Sequence, residues 1–141
     1  MATSTYLSNP VVLIGATSAS TTDITDQVSA VTVNYVVEAL EDTAFGSTAR
    51  TNTAGLQSNS VTLTVYASYA STESYAVLSA LVGTKCYIKV TPASGANTAT
   101  NPGFEITNGY LSQLPVINAN LGELIVYDVE IMGGSYTVDV T

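Results

Sequence analysis

The chain has 141 residues, and since roughly two thirds of the unfolded surface of a chain that long can be buried in one core, it is expected to form a single domain spanning residues 1–141. Apolar residues make up 46% of it and charged residues 10%, against about 25% charged in an ordinary domain, and eleven acids face three bases, Arg50, Lys85 and Lys89. This balance excludes a basic footprint for gripping nucleic acid, and with no histidine and one cysteine the chain cannot build an intrachain disulfide, a Cys/His zinc site or an imidazole base.

The opening run, Met1-Ala2-Thr3-Ser4-Thr5-Tyr6, has neither the basic start nor the long apolar stretch of a secretory signal. Apolar runs such as Val11 to Ile14 are too short to span a bilayer, so no membrane association is expected and the protein reads as soluble and made in a cytoplasm. Val11 to Ile14 is a short strand candidate. Val31, Val33, Tyr35, Val37 and Ala39 then alternate with Thr32, Asn34, Val36 and Glu38, which predicts one long strand with a face on a core. Val61, Leu63, Val65, Ala67 and Tyr69 alternate in the same way and predict its partner. Between these two strands, residues 41–57 read as a long irregular loop, and loops of that length in compact domains are usually functional or flexible.

A helix is expected over residues 71–82. Ser71 stands at the cap, Glu73 in the positive first turn, Tyr75, Leu78, Leu81 and Val82 on one stripe, and Gly83 at the left-handed terminator. About three turns are too few to be stable alone, so the stripe must pack on a sheet. Strands follow at Cys86 to Thr91, with Cys86, Ile88 and Val90 inward, and at Phe104 to Leu111, separated by a surface loop from Ala93 to Pro102. Ile125, Tyr127, Val129 and Ile131 define a last inward face, and Gly133-Gly134 reads as a tight turn into Tyr136, Val138 and Val140, a terminal hairpin.

Little here supports catalysis. Cys86 lies in an apolar stretch without a histidine partner and reads as a packed thiol. Glu38, Glu41 and Asp42 form the tightest acidic cluster, with Asp23 and Asp26 a looser one, but neither has the spacing of a calcium loop, and nothing resembles a phosphate-binding glycine loop. No cofactor and no enzymatic activity are expected. Phe45 is the more telling residue: a large aromatic between Ala44 and Gly46 either inserts into a partner or folds back on its own core. Arg50, in the same loop, is either an interchain partner for a carboxylate or a solvated surface cation. The neutral surface of Ser, Thr and Asn suits burial in an assembly, and it also suits an extracellular β domain.

The run Asp26-Gln27-Val28-Ser29-Ala30-Val31-Thr32-Val33-Asn34-Tyr35, continuing through Glu38-Ala39-Leu40-Glu41-Asp42-Thr43-Ala44-Phe45-Gly46 and Arg50 to Leu56, resembles the small tail tube (major tail) proteins of long-tailed bacteriophages. The resemblance implies a mainly β fold, a sandwich or open barrel with one flanking helix, of which six copies form a ring with a continuous inner β-barrel, and rings stack into a tube that conducts DNA during ejection. The loop 41–57 would reach the neighbouring ring, making Glu41, Asp42, Phe45, Arg50 and Leu56 the contact residues. Glu38, Asp128 and Glu130, each opposite the apolar face of its strand, either line the lumen, where they would repel passing DNA, or face outside solvent.

The partners so implied are copies of the chain itself and other tail proteins, namely the terminator, tape measure, baseplate or tip, with genomic DNA passing unbound. The location is the virion tail, after synthesis in the bacterial cytoplasm. Competing readings are another small virion protein (tail terminator, head-to-tail connector or capsid decoration protein) and a carbohydrate-binding β-sandwich that uses its nine tyrosines as stacking platforms.

Overall fold

Period-two alternation does produce the main sheet. The computed structural model describes residues 10–141, so the opening six residues read for a secretory signal lie outside it. Its elements follow in the order β1 (Val11–Thr17), β2 (Ser20–Asp23), a 3-10 turn (Thr25–Gln27), β3 (Val28–Asn34), β4 (Val37–Glu41), β5 (Asn52–Gln57), β6 (Ser60–Tyr66), α1 (Ser74–Leu81), β7 (Lys85–Thr91), β8 (Gly103–Leu111), β9 (Val126–Met132) and β10 (Ser135–Asp139). Eight strands form one antiparallel sheet in the order β2-β1-β7-β8-β9-β6-β3, with β10 alongside β8, while β4 and β5 form a separate two-stranded hairpin.

The inward positions of these strands meet in one core. Val12 and Ile14 of β1 and Cys86, Ile88 and Val90 of β7 share a cluster with Val61, Leu63 and Val65 of β6 and Tyr127, Val129 and Ile131 of β9. Each such side chain stabilises the fold by about 1.5–3 kcal/mol relative to exposure. One sheet therefore holds a single shared core, mainly β, with α1 contributing Leu78 and Leu81 from the flank.

β8 serves both halves. Its Gly103 to Thr107 segment pairs with β10, whereas Tyr110 and Leu111 pair with Met132 and Ile131 of β9. Asn108 stands between these segments at φ 61°, a left-handed conformation that asparagine tolerates better than most residues.

Four expectations change. The long strand over Val31 to Ala39 divides after Asn34: β3 pairs with β6 as expected, Val31 opposite Leu63, but Val37 onward leaves the main sheet. Residues 41–57 are not one irregular loop: Glu41 ends β4 and Asn52–Gln57 form β5, with Leu40 opposite Thr53 and Glu41 opposite Asn52, so that residues 42–51 alone connect the two strands of a hairpin. The helix starts at Ser74 because Thr72, at φ 63°, breaks the right-handed path, so Ser71 caps nothing; Gly83 does adopt the left-handed conformation. Finally, β10 pairs with β8 and not with β9. Gly133 and Gly134, at φ 75° and 86°, turn the chain from one strand to the other, and a side chain on Gly134 would meet the Thr107 carbonyl oxygen at 2.6 Å. Among the described residues no helix is long and apolar enough to cross a membrane.

Candidate assembly surfaces

The β4–β5 hairpin stands off the main sheet as an arm, and its root is fixed by Asn59, a buried residue that sequence reasoning passed over. The Asn59 side-chain oxygen accepts from the Val36 backbone N–H at 3.1 Å, and its amide donates to Gln57 Oε1 at 2.9 Å and to the Gly134 carbonyl at 3.0 Å. The Gln57 side chain in turn accepts from the Tyr136 N–H, 3.0 Å away. Four backbone or side-chain groups at the branch point are thereby satisfied where β-ladder partners are missing.

Along the arm, the five residues expected to make contacts lie together and in solvent. Phe45 at the tip is fully exposed, at 109%, so it does not fold back on its own core. Arg50 Nη1 donates to Glu41 Oε1 at 3.0 Å, an ion pair within the chain and open to water, which contributes little. The Thr51 hydroxyl donates to Asp42 Oδ1 at 2.7 Å across the hairpin. Leu56 and Leu40 are exposed too. Glu38 is here and not on the main sheet: its side chain lies over Gly55 beside Leu40, so it shares a face with an apolar neighbour and is separated from the other two acids expected to act with it.

Asp128 and Glu130 do share a surface. They alternate with buried Tyr127, Val129 and Ile131 on β9, and stand opposite Thr64 and Thr62 of β6, whose hydroxyl at Thr64 donates to Asp128 at 3.1 Å. Thr32 of β3 continues the row beyond Thr62. None of the three strands contains a lysine or arginine, so this outer face is threonine-rich and acidic.

A second apolar surface was not anticipated. The loop from Ser112 to Leu124 exposes Val116, Ile117, Leu121 and Leu124. Its backbone is anchored: the Tyr69 and Tyr127 hydroxyls donate to the Val116 carbonyl at 2.7 and 3.3 Å, and the Ala67 N–H donates to the Ile125 carbonyl at 2.9 Å. Burial raises the Tyr127 hydroxyl above the ordinary phenol range, which keeps it a donor. The sequence signal was a group of apolar residues without strand alternation, which is uninformative until the fold shows them uncovered.

Edges and tyrosines complete the picture. Among the described residues β3 has β6 as its strand partner and β10 has β8, leaving one edge of each unpaired. Between these edges lies an apolar cleft of about 280 Å³ lined by Val31, Val33, Tyr35, Val90, Phe104 and Tyr136, with the Tyr35 and Tyr136 rings stacked at 4.1 Å. The tyrosines do not mostly enter the core: Tyr35, Tyr66, Tyr69 and Tyr110 are exposed, and only Tyr87 and Tyr127 are buried among those described. Cys86 is buried, and desolvation pushes its thiol up to about 11. Among the described residues no three His, Cys, Asp or Glu side chains converge on a possible metal position.

The sequence matches no protein-family model and no curated protein. In fold, the chain is similar to a chain of the sheath/tube terminator of an extracellular contractile injection system, PVC, in its extended state (TM-score 0.68, 14% identity, 99% of each chain covered). It is likewise similar to a chain of the virion of a native gene transfer agent particle (0.66, 14%, 92% of this chain and 95% of that one) and to a chain of the cap that terminates the tube of the anti-feeding prophage (0.64, 12%, 100% and 95%). At identities of 12–14%, the likeness is one of fold.

Proposed function

We propose that this chain is a structural subunit of a tail particle and assembles with copies of itself into stacked rings of six that form a tube. The observation that carries this reading is the end-to-end fold likeness to chains of tube-bearing particles, at TM-scores of 0.63–0.68 over 92–100% of this chain in four of them. The surfaces support it. Unpaired margins on β3 and β10 invite pairing with a neighbouring copy, and a ring uses such edges as joints, where a lone subunit would leave them open to uncontrolled aggregation. In that ring the threonine and acid face around Asp128 and Glu130 turns to the lumen, where DNA passes without being held. Other tail proteins, the terminator, tape measure, baseplate or tip, complete the particle, which is built after synthesis in a bacterial cytoplasm.

The likeness to a tube terminator and a terminating cap favours a second reading, a subunit that closes a tube in place of building it. Electron microscopy of the purified protein at high concentration separates them. Long tubes are expected; single rings that never stack would assign the terminating role, and a chain that remains monomeric at millimolar concentration would overturn both.

A further inference from the structure

Where β7, β8 and β10 run side by side, three side chains meet that can react with one another. Lys89 Nζ donates to Asp139 Oδ2 at 2.8 Å, and the Asn97 amide nitrogen donates to the same oxygen at 3.0 Å. The Asn97 side-chain oxygen in turn accepts from the hydroxyl of Thr91, a buried residue, at 3.4 Å. Gly103 leaves the space in which they gather: a side chain there would collide with Lys89 Cε and stand 3.3 Å from Asn97 Cγ. The lysine and the aspartate are mostly shielded from water, at 16% and 28% side-chain exposure.

The loop after β7 sets Asn97 in place. The Asn101 side chain accepts from the Ala93 N–H at 3.1 Å and donates to the Ala93 and Ala96 carbonyls at 3.0 and 3.3 Å, while Thr98 and Asn101 exchange two backbone hydrogen bonds of 3.1 Å. A carboxamide and an amine are thereby held against one carboxylate oxygen by a closed turn on one side and a sheet on the other.

We infer that Lys89 and Asn97 become joined by an amide bond between their side chains, with loss of ammonia. The neutral Lys89 amine attacks Asn97 Cγ; the Nζ–Cγ bond forms, the Cγ–Nδ2 bond breaks, and ammonia leaves. Asp139 Oδ2 touches both nitrogens, so it takes the proton from Nζ, delivers it to Nδ2 and ends as the carboxylate it began as. The Thr91 hydroxyl faces the oxygen on which negative charge develops. All the groups belong to one folded chain, so the step is intramolecular and needs no co-reactant. The product ties β7 to the 93–102 loop, a staple that a chain with one cysteine cannot make as an internal disulfide. It concerns a single copy and stands apart from the assembly reading.

The charged groups facing Lys89 are Asp139 on β10 and Glu105, its cross-strand neighbour on β8, which also accepts from the Tyr87 and Thr137 hydroxyls; on β1 its neighbour is Leu13. Lysine amines are ordinarily protonated at neutral pH, so the ion pair is the starting state and the bond should close faster as pH rises.

Mass and cleavage test this. The freshly purified chain, incubated at about pH 9, is expected to become lighter by one ammonia. Unfolded and digested with trypsin, it should then resist cutting after Lys89 and yield one peptide from Cys86 to Thr141, since no lysine or arginine follows Lys89. Lys89→Arg, which keeps a cation opposite Asp139 without a nucleophilic amine, should keep its full mass, and Asp139→Asn should slow the change roughly hundredfold. A native chain that keeps its mass and is cut after Lys89 would overturn the inference. So would a loss of ammonia that leaves Lys89 cleavable or persists in Lys89→Arg, which would place the loss elsewhere, as at Asn108-Gly109. A native rate in Asp139→Asn would overturn the role given to the carboxylate.

Discussion

Asn59 donates its amide to the Gly134 carbonyl, 3.0 Å away, and so joins the root of the β4–β5 arm to the corner between β9 and β10. Replacing it with alanine leaves the Val36 N–H and the Gly134 carbonyl without that partner at a partly buried point. Each group left unpaired costs about 1–3 kcal/mol, so Asn59→Ala should lower the urea midpoint of the unassembled chain markedly with little change in slope. A loss below about 0.5 kcal/mol, the level of an ordinary surface substitution, would show that water replaces the side chain freely.

Lys89 Nζ lies 2.8 Å from Asp139 and reaches it over Gly103, where a Cβ would stand 2.4 Å from the lysine Cε. The Lys89 hydrogen bond, with further donors on Thr141 and Asn97, holds the Asp139 carboxyl well below the usual carboxylate range. A lowered folded value means that the stabilisation is present above the unfolded value, about 3.9, and is lost as pH falls further toward the folded one. The stability difference between the native chain and Asp139→Asn should therefore be largest near neutrality and shrink below about pH 4. Denaturant melts of both chains at pH 7 and pH 3 check this, and a difference independent of pH would assign it to packing. Gly103→Ala should reproduce the neutral-pH loss by displacing the lysine.

Phe45→Ser should leave the stability of the unassembled chain within about 0.5 kcal/mol of native, because the ring touches nothing in its own subunit. Sedimentation of the same variant should show assembly strongly reduced. Normal tubes would deny the arm any part in association.

Asp128→Lys together with Glu130→Lys should fold, since both side chains point to solvent from a strand whose other face is buried. Tubes of this variant are expected to retain duplex DNA at low salt and release it as salt rises, whereas native tubes should not retain it, because charges in a narrow lumen act within a Debye length of about 8 Å near physiological ionic strength. Equal retention by both would place these acids on the outside.

With its thiol pushed up to about 11 by burial, Cys86 should be nearly inert toward an aromatic disulfide reagent in the native chain at pH 8, where about one thiol in a thousand is ionised even when reached. In urea the reaction should become rapid. Fast native labelling would contradict a closed core at β7.

Strand existence was legible wherever one face is buried, because alternation records burial: Val61, Leu63 and Val65, or Tyr127, Val129 and Ile131, reveal β6 and β9 directly. Partner identity was legible for β3 and β6 but not where the chain changes sheets or at β10. The alternation of Val31, Val33, Tyr35, Val37 and Ala39 runs unbroken across a point where the chain leaves one sheet for a hairpin, since an exposed arm can carry the same pattern as a buried strand. Gly133-Gly134 has the look of a hairpin turn, yet β10 finds its place by packing Tyr136 against Tyr35 and pairing with β8, relations between residues far apart in sequence. An exposed Phe45 was one of two readings open from the sequence, and the hairpin that carries it was not foreseen, while the 116–124 loop was invisible until the fold left it uncovered.

Because the arm and the loop occupy opposite poles of β6, a stack of such subunits has direction. In the proposed tube, one mouth would show the exposed Phe45 rings and the other the apolar loop around Leu121, so growth and its arrest need not use the same chemistry. If the proposed rings form, a protein that halts elongation would have only to mimic one pole, and the two unlike rims would carry the information about which end meets which machinery.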